Sequence, residues 1–202
     1  MAEEKADLNE LTKLFYEAGM LTRLDVSGDL LVGNSGRSVA DHSMRAAMIG
    51  YFLAKLEKAD SSKVAIMLLF HDLCETRILE LNKIAFSYIN REQAETKSFE
   101  DQLKGMPKDA AEELSNLEHE MKERKSKEAI IAKDADYLEC AISAKEAIDK
   151  GYDMHDWINN VRAALKTESA KKLLAMAEKM SSNEWWRNLK YIPELKKGDK
   201  KY

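Results

Sequence analysis

Residues 64–75 read VAIMLLFHDLCE: an apolar run delivers a histidine and an aspartate side by side, His71-Asp72, with a carboxylate, Glu75, three residues on. Its length and composition predict a helix, with Val64, Ala65, Leu68, Leu69 and Asp72 or Leu73 on the buried side and Ser61 or Ser62 as the cap. An imidazole nitrogen next to a carboxylate oxygen is what one helix end can offer a divalent metal. Two residues do not hold a metal alone. A buried aspartate in apolar surroundings needs a partner in any case, so a His-Asp hydrogen bond tying helices together explains the pair equally well until further ligands are found.

Outward from this stretch the chain reads as helical throughout. Only two prolines and eight glycines occur in 202 residues, and Ala, Leu, Lys, Glu and Met dominate, a helix-forming mixture. The expected fold is all-α, one compact helical bundle over 1–202, with a core of about 10–165, C-terminal helices over about 166–190 and a basic tail at 195–202. A net charge of −4 with dispersed Lys and Arg argues against a nucleic-acid-binding face. Two cysteines, Cys74 and Cys140, make no framework of bridges, and no apolar run approaches the length of a membrane span. With no leader pattern at the first residues, a cytosolic protein is expected.

Upstream, 3–19 carries a helical apolar period stopped at Gly19. A glycine-punctuated loop follows and ends at Ser38-Val-Ala-Asp41, which resembles a capping box. The helix it starts runs to about Leu56, with Met44, Ala47, Met48, Tyr51, Phe52 and Leu56 expected on its inner face. His42 falls in its first turn, where a lone histidine is ordinarily a surface or capping residue. Downstream, 75–90 reads as short helical pieces with a solvated charged face. Residues 91–125 read as polar helices broken at Pro107, with His119 on the surface.

KEAIIAKDADYLECAISAKEAI (127–148) makes a long helix from about Ser126 to Asp149, which Gly151 ends. Ile131, Leu138, Ile142 and Ile148 form a bulky stripe; Ala132, Asp136, Cys140, Ser143 and Ala147 form one of small residues. Asp136 is the carboxylate on the small stripe. Asp134 lies near the bulky one, and periodicity does not eliminate it. Cys140 reads as a small core residue. Trp157, Trp185 and Trp186 read as packing anchors or an oligomer contact. His155-Asp156 repeats the dyad letters with no apolar period leading into it, and reads as an accident.

His42, His71-Asp72 and Asp136 together make the pattern H…HD…D, which resembles the HD-domain superfamily of metal-dependent phosphohydrolases. SVADHS (38–43), HDLCE (71–75), KDADYLE (133–139) and WWRNL (185–189) look like its 5′-deoxynucleotidase branch, and the resemblance covers roughly 10–190. It implies an all-helical fold and one divalent cation held by His42, His71, Asp72 and Asp136, the family's K-x-x-D pattern selecting Asp136 over Asp134. It implies Glu75 as the catalytic glutamate. Glu80 stands where the family usually has a sugar-contacting aspartate, and Arg23 is the candidate for phosphate; Arg37 occupies a place where relatives often have Glu.

Imidazoles and carboxylates suit Mn²⁺, Co²⁺ or Zn²⁺ ahead of Mg²⁺. The implied reaction is hydrolysis of deoxynucleoside 5′-monophosphates, with a small nucleotide as substrate, no membrane or nucleic-acid polymer as partner, and a homodimer as the assembly. The alternatives are an HD-type hydrolase acting on triphosphates, cyclic nucleotides or oligonucleotides, and a non-catalytic nucleotide-sensing module. A two-metal enzyme needs further histidines between the dyad and the last aspartate, where only His119 lies.

Overall fold

A computed structural model describes residues 8–187; the first residues of the expected N-terminal helix, Asn188-Leu189 and the basic tail lie outside them. The described chain is helical: α1 (Leu8–Ala18), α2 (Ser27–Leu30), α3 (Val39–Glu57), α4 (Ser61–Phe70), α5 (Glu75–Ile78), α6 (Arg91–Leu103), α7 (Lys108–Glu123), α8 (Lys127–Asp149), α9 (His155–Ala164), α10 (Glu168–Lys179) and α11 (Glu184–Arg187). Short 3₁₀ turns at Gly19–Arg23 and Ala85–Ser87 complete it. Among the described residues the extended pairing is a single antiparallel bridge, Asp25 with Ser38.

The bundle is organised around α8, which packs against α3, α4, α7, α9 and α10. Residues on opposite sides of it are buried, Ile131 and Leu138 as well as Ala132, Ala135 and Ala144. A helix apolar on all sides belongs in the middle of a bundle. Ser126 caps it by accepting from Ala129 N (3.1 Å), and Gly151 closes it at φ +100°. Pro107 stands immediately before α7, where its missing N–H costs nothing.

The capping box of α3 forms as the spacing predicts: Ser38 Oγ accepts from Asp41 N (3.1 Å) while Asp41 Oδ2 accepts from Ser38 N (2.9 Å). Of the expected inner face of α3, Ala47 packs against the core and the five large residues do not. Met44, Met48, Tyr51, Phe52 and Leu56 are exposed, and the helix buries Val39, His42, Ser43, Ala46, Gly50, Leu53 and Ala54. The reason is close approach. A Cβ on Gly50 would collide with Leu68 Cδ1 and stand 2.9 Å from Val64 Cγ1 and 3.4 Å from Ala135 Cβ, so α3, α4 and α8 meet there with no room for a larger residue.

Other expectations also need correction. Asp60, not Ser61 or Ser62, caps α4, its Oδ1 accepting from Ser62 N and Lys63 N at 3.0 Å each. Leu69 faces out. Trp157 packs against Gly28, whereas Trp185 is exposed.

Candidate metal centre and its cavity

α4 stops at Phe70, and the chain continues in tight i→i+3 turns, with Leu73 N bonded to Phe70 O (3.1 Å) and Glu75 N to Asp72 O (3.0 Å). At three residues per turn, side chains three apart eclipse, and Asp72 and Glu75 both line one cavity. α3 contributes His42 from its buried small-residue face, and α8 contributes Asp136.

These groups converge. His42 Nε2 stands 3.3 Å from Asp136 Oδ1 and 3.5 Å from Asp72 Oδ2, and His71 Nε2 stands 3.0 Å from Asp72 Oδ2. His42, His71 and Asp72 can each aim a donor atom within 4.8 Å of the others. Metal–ligand bonds of about 2.1 Å at tetrahedral or octahedral angles put neighbouring donor atoms roughly 3.0–3.4 Å apart, so the spacing suits one cation. The far ring nitrogens are held as such a site requires: Glu139 Oε2 is 2.5 Å from His42 Nδ1, and Leu68 O is 2.7 Å from His71 Nδ1. An Nδ1–H donating to each acceptor leaves both Nε2 lone pairs directed inward. The donor set fits a divalent ion.

The electrostatics agree. Burial opposes charge on His42, but hydrogen bonds to Asp136 and Glu139 outweigh it and hold the ring well above the ordinary histidine value. Burial likewise opposes charge on His71, and Asp72 overrides it. Burial pushes Asp136 up, but Lys133 and His42 hold it well below the usual carboxylate range. Protons on the imidazoles thus supply the positive charge that the two aspartates demand, and a bound cation would displace them.

Glu139 was not singled out in the sequence. It is fully buried, accepts from Arg37 Nη1 (2.9 and 3.1 Å) and from Arg45 Nε (3.0 Å) and Nη2 (2.8 Å), and sits at a pKa of about 2 because these contacts and His42 overcome its burial. Arg37 also makes a two-pronged contact with the buried Asp29 (2.8 and 3.2 Å). The signal was a carboxylate one turn after Asp136 on the same helix; its basic partners are 94 and 102 residues away.

The ambiguity between aspartates resolves by geometry. Asp134 accepts from Lys166 N (2.9 Å), Thr167 N (2.6 Å) and Thr167 Oγ1 (2.7 Å) at the start of α10, on another side of α8 from the cluster. Cys140 lies near His42 and Glu139, but burial pushes its thiol up to about 12, so it stays protonated.

His71, Asp72 and Asp136 line a cavity of about 950 Å³, with Glu75, Glu80, Arg91, Lys133, Tyr137 and Trp157 also on its wall. Glu75 Oε2 and Glu80 Oε2 are buried there without a hydrogen-bond partner. Burial, then the charges of Asp72 and Glu80, raise Glu75 to about 10. Leu79 just before Glu80 has φ +64° and ψ 162°, a region ordinarily left to glycine. Arg23 is not brought to this cavity: it is exposed in the first 3₁₀ turn. The cations that do line it include Lys133, whose Nζ donates to Asp136 Oδ2 (2.6 Å), and Arg91, stacked 4.5 Å over the Phe86 ring. His119 is exposed, and His155 takes no part in the cluster.

A model of the HD domain matches residues 27–177, a span that includes every member of the cluster. The chain belongs to the HD-domain family. Solved structures give the same picture. A conserved hypothetical protein from Pyrococcus furiosus is 28% identical with a TM-score of 0.67, over 84% of this chain and 99% of that one. The PH0347 protein from Pyrococcus horikoshii OT3 is 26% identical with a TM-score of 0.70, over 83% and 98%. A predicted metal-dependent phosphohydrolase from Magnetospirillum magnetotacticum MS-1, 20% identical with a TM-score of 0.65 over 85% and 91%, shares the fold. No curated protein matches the chain.

Proposed function

We propose that this HD-domain chain is a metal-dependent phosphohydrolase whose substrates are deoxynucleoside 5′-monophosphates, cleaved to deoxynucleoside and phosphate. The observation that carries the reading is the convergence of His42 with His71, Asp72 and Asp136, the last three on the wall of a cavity that also presents the unpartnered Glu75. His42, His71, Asp72 and Asp136 would hold one divalent cation, which supplies Lewis-acid polarisation of a phosphate oxygen and acidifies water bound to it.

The chain's own residues supply the remainder. Glu75, raised to about 10, holds a proton at neutral pH, the property needed of a general acid that protonates the leaving alkoxide. Lys133 and Arg91 place positive charge on the cavity wall, where phosphoryl oxygens gain charge; they replace Arg23 as phosphate contacts. Glu80, with a free buried oxygen, faces the same space and suits a sugar hydroxyl donor. At about 950 Å³ the cavity accommodates a nucleotide. The metal is expected to be Mn²⁺, Co²⁺ or Zn²⁺.

The test is phosphate release from deoxy- and ribonucleoside 5′-monophosphates with each metal, beside Asp72→Ala checked for helicity. Metal-dependent release from the deoxy series, abolished in the variant, is expected. If monophosphates remain intact while metal binds, the monophosphatase reading fails and triphosphates, cyclic nucleotides and oligonucleotides become the candidates.

A further inference from the structure

The cavity beside the metal cluster has one side that the proposed chemistry leaves unused. α9 presents Trp157, Asn160, Val161 and Ala164 to it, at steps of three and four that mark a single helix face. α8, which packs along α9, contributes Tyr137 and Cys140 to the same wall on either side of one turn from Asp136, so this face adjoins the metal centre. We propose that it is the base subsite of the nucleotide, with Trp157 as the stacking wall and Asp156 and Asn160 as the groups that read the base, and that it prefers bases carrying an exocyclic amino group over thymine and uracil. The proposal rests on the monophosphatase reading above and adds what selects among monophosphates.

Charge is divided along the wall as such a ligand requires. The cations Lys133 and Arg91 belong to other parts of it, and Lys133 bonds directly to the ligand Asp136. The α9 face brings no cation to the cavity: its four residues are uncharged, and Asp156 beside them is negative. A phosphate is drawn to the first region, and a neutral ring with N–H donors suits the second.

Trp157 is half-buried and held in place. A Cβ on Gly28 would stand 3.2 Å from its Nε1, so the missing side chain lets the indole lie close against the segment that carries Ser27 and Gly28. A fixed indole offers a stacking surface to any base. Asp156 and Asn160 are four residues apart and therefore neighbours on α9. Both are exposed where they line the cavity, and among the described residues neither side chain makes a hydrogen bond or ion pair. The Asp156 carboxylate only accepts, whereas the Asn160 amide both donates and accepts. Adenine, cytosine and guanine can give an amino N–H to the carboxylate and an acceptor to the amide. Thymine and uracil flank their one ring N–H with carbonyl oxygens, and an oxygen set against Asp156 has no proton to share. Asp156, half of the second His-Asp pair, thereby has a role that needs no metal.

The test compares deoxycytidine and deoxyuridine 5′-monophosphates, whose rings share one shape and differ at the amino position. With the metal-loaded full chain, kcat/KM for the cytosine compound is expected to exceed that for the uracil compound at least about tenfold. Asp156→Asn, which can donate to a carbonyl, is expected to bring the ratio within about threefold of one, with the far-ultraviolet circular dichroism retained. Binding is read separately with the free deoxynucleosides, which have no phosphate to lose. Deoxycytidine is expected to quench tryptophan fluorescence, and Trp157→Phe to remove most of that quench. A ratio near one in the wild type overturns the proposal, and so does a ratio that Asp156→Asn leaves unchanged. If neither monophosphate is cleaved while deoxycytidine still binds about tenfold more tightly than deoxyuridine, and Asp156→Asn equalises them, the monophosphatase reading fails and the subsite stands. If there is neither cleavage nor a binding preference, both are overturned.

Discussion

Replacing Glu75 by glutamine is expected to make the metal-free protein more stable and less active. Glu75 is 7% exposed and carries an unpartnered oxygen, and its carboxyl is raised from the ordinary 4.5 to about 10. The sign follows from linkage. Between those values the folded state binds a proton that the unfolded state has released, so stability falls as pH rises through this window. At pH 7 the unfolded carboxyl lies about 2.5 pH units past its midpoint, and at 1.36 kcal/mol for each unit the fold forgoes about 3 kcal/mol. Glutamine keeps the shape and cannot ionise. Urea denaturation of chelator-treated wild type and Glu75→Gln from pH 4.5 to 9 is the assay. The curves should nearly coincide at the acid end and diverge by roughly 1.4 kcal/mol for each pH unit above it, until the difference flattens near the folded value. Parallel curves would show that Glu75 ionises inside the cavity as readily as in water, and would remove the argument for its role as a proton carrier.

Three further outcomes are expected. Glu139→Gln weakens the hold on His42 and should lower metal affinity about 10–100-fold by titration calorimetry, while affinity in both proteins rises with pH as the raised imidazoles lose their protons. The two neighbouring aspartates should separate cleanly: Asp134→Ala strips three donors at the start of α10 and should cost at least about 2 kcal/mol in urea melts with metal affinity intact, whereas Asp136→Ala should abolish metal binding. Gly50→Ala forces a methyl into the crossing of α3, α4 and α8 and should cost about 1–3 kcal/mol, measured by thermal unfolding; an unchanged midpoint would mean that the three helices are not in the contact described.

The all-helical fold was legible because its signals are local. The Ser38–Asp41 box and Pro107 each act within four residues, and the structure realises both. The inner face of α3 was misread because the largest apolar residues were assigned to the core. Burial there is governed by backbone approach, which Gly50, Ala46 and Ala54 permit and Met48 or Phe52 would forbid. His42 lies on that small-residue face, so the same correction explains how a histidine in a first helical turn comes to be buried. Two relations depend on elements far apart in sequence and carry no local signature: the use of Asp134 by the chain at Lys166-Thr167, and the clasp of Glu139 by Arg37 and Arg45.

That clasp sets terms for anyone who would reshape the cavity. Ser27 and Gly28 form part of its wall on a short segment fastened at Asp29 and Arg37, and Arg37 is shared with the carboxylate that steers His42. Between those fastenings, Gly33 and Gly36 turn at positive φ with nothing within 4 Å of where a Cβ would stand. Grafts and insertions there leave the fastening pair in place, whereas swapping the whole segment would retune the metal site along with the pocket. Within 30–36 it is Leu31 that lines the cavity, so variation in ligand preference is easiest to explore there, with Asp29 and Arg37 kept as a fixed frame.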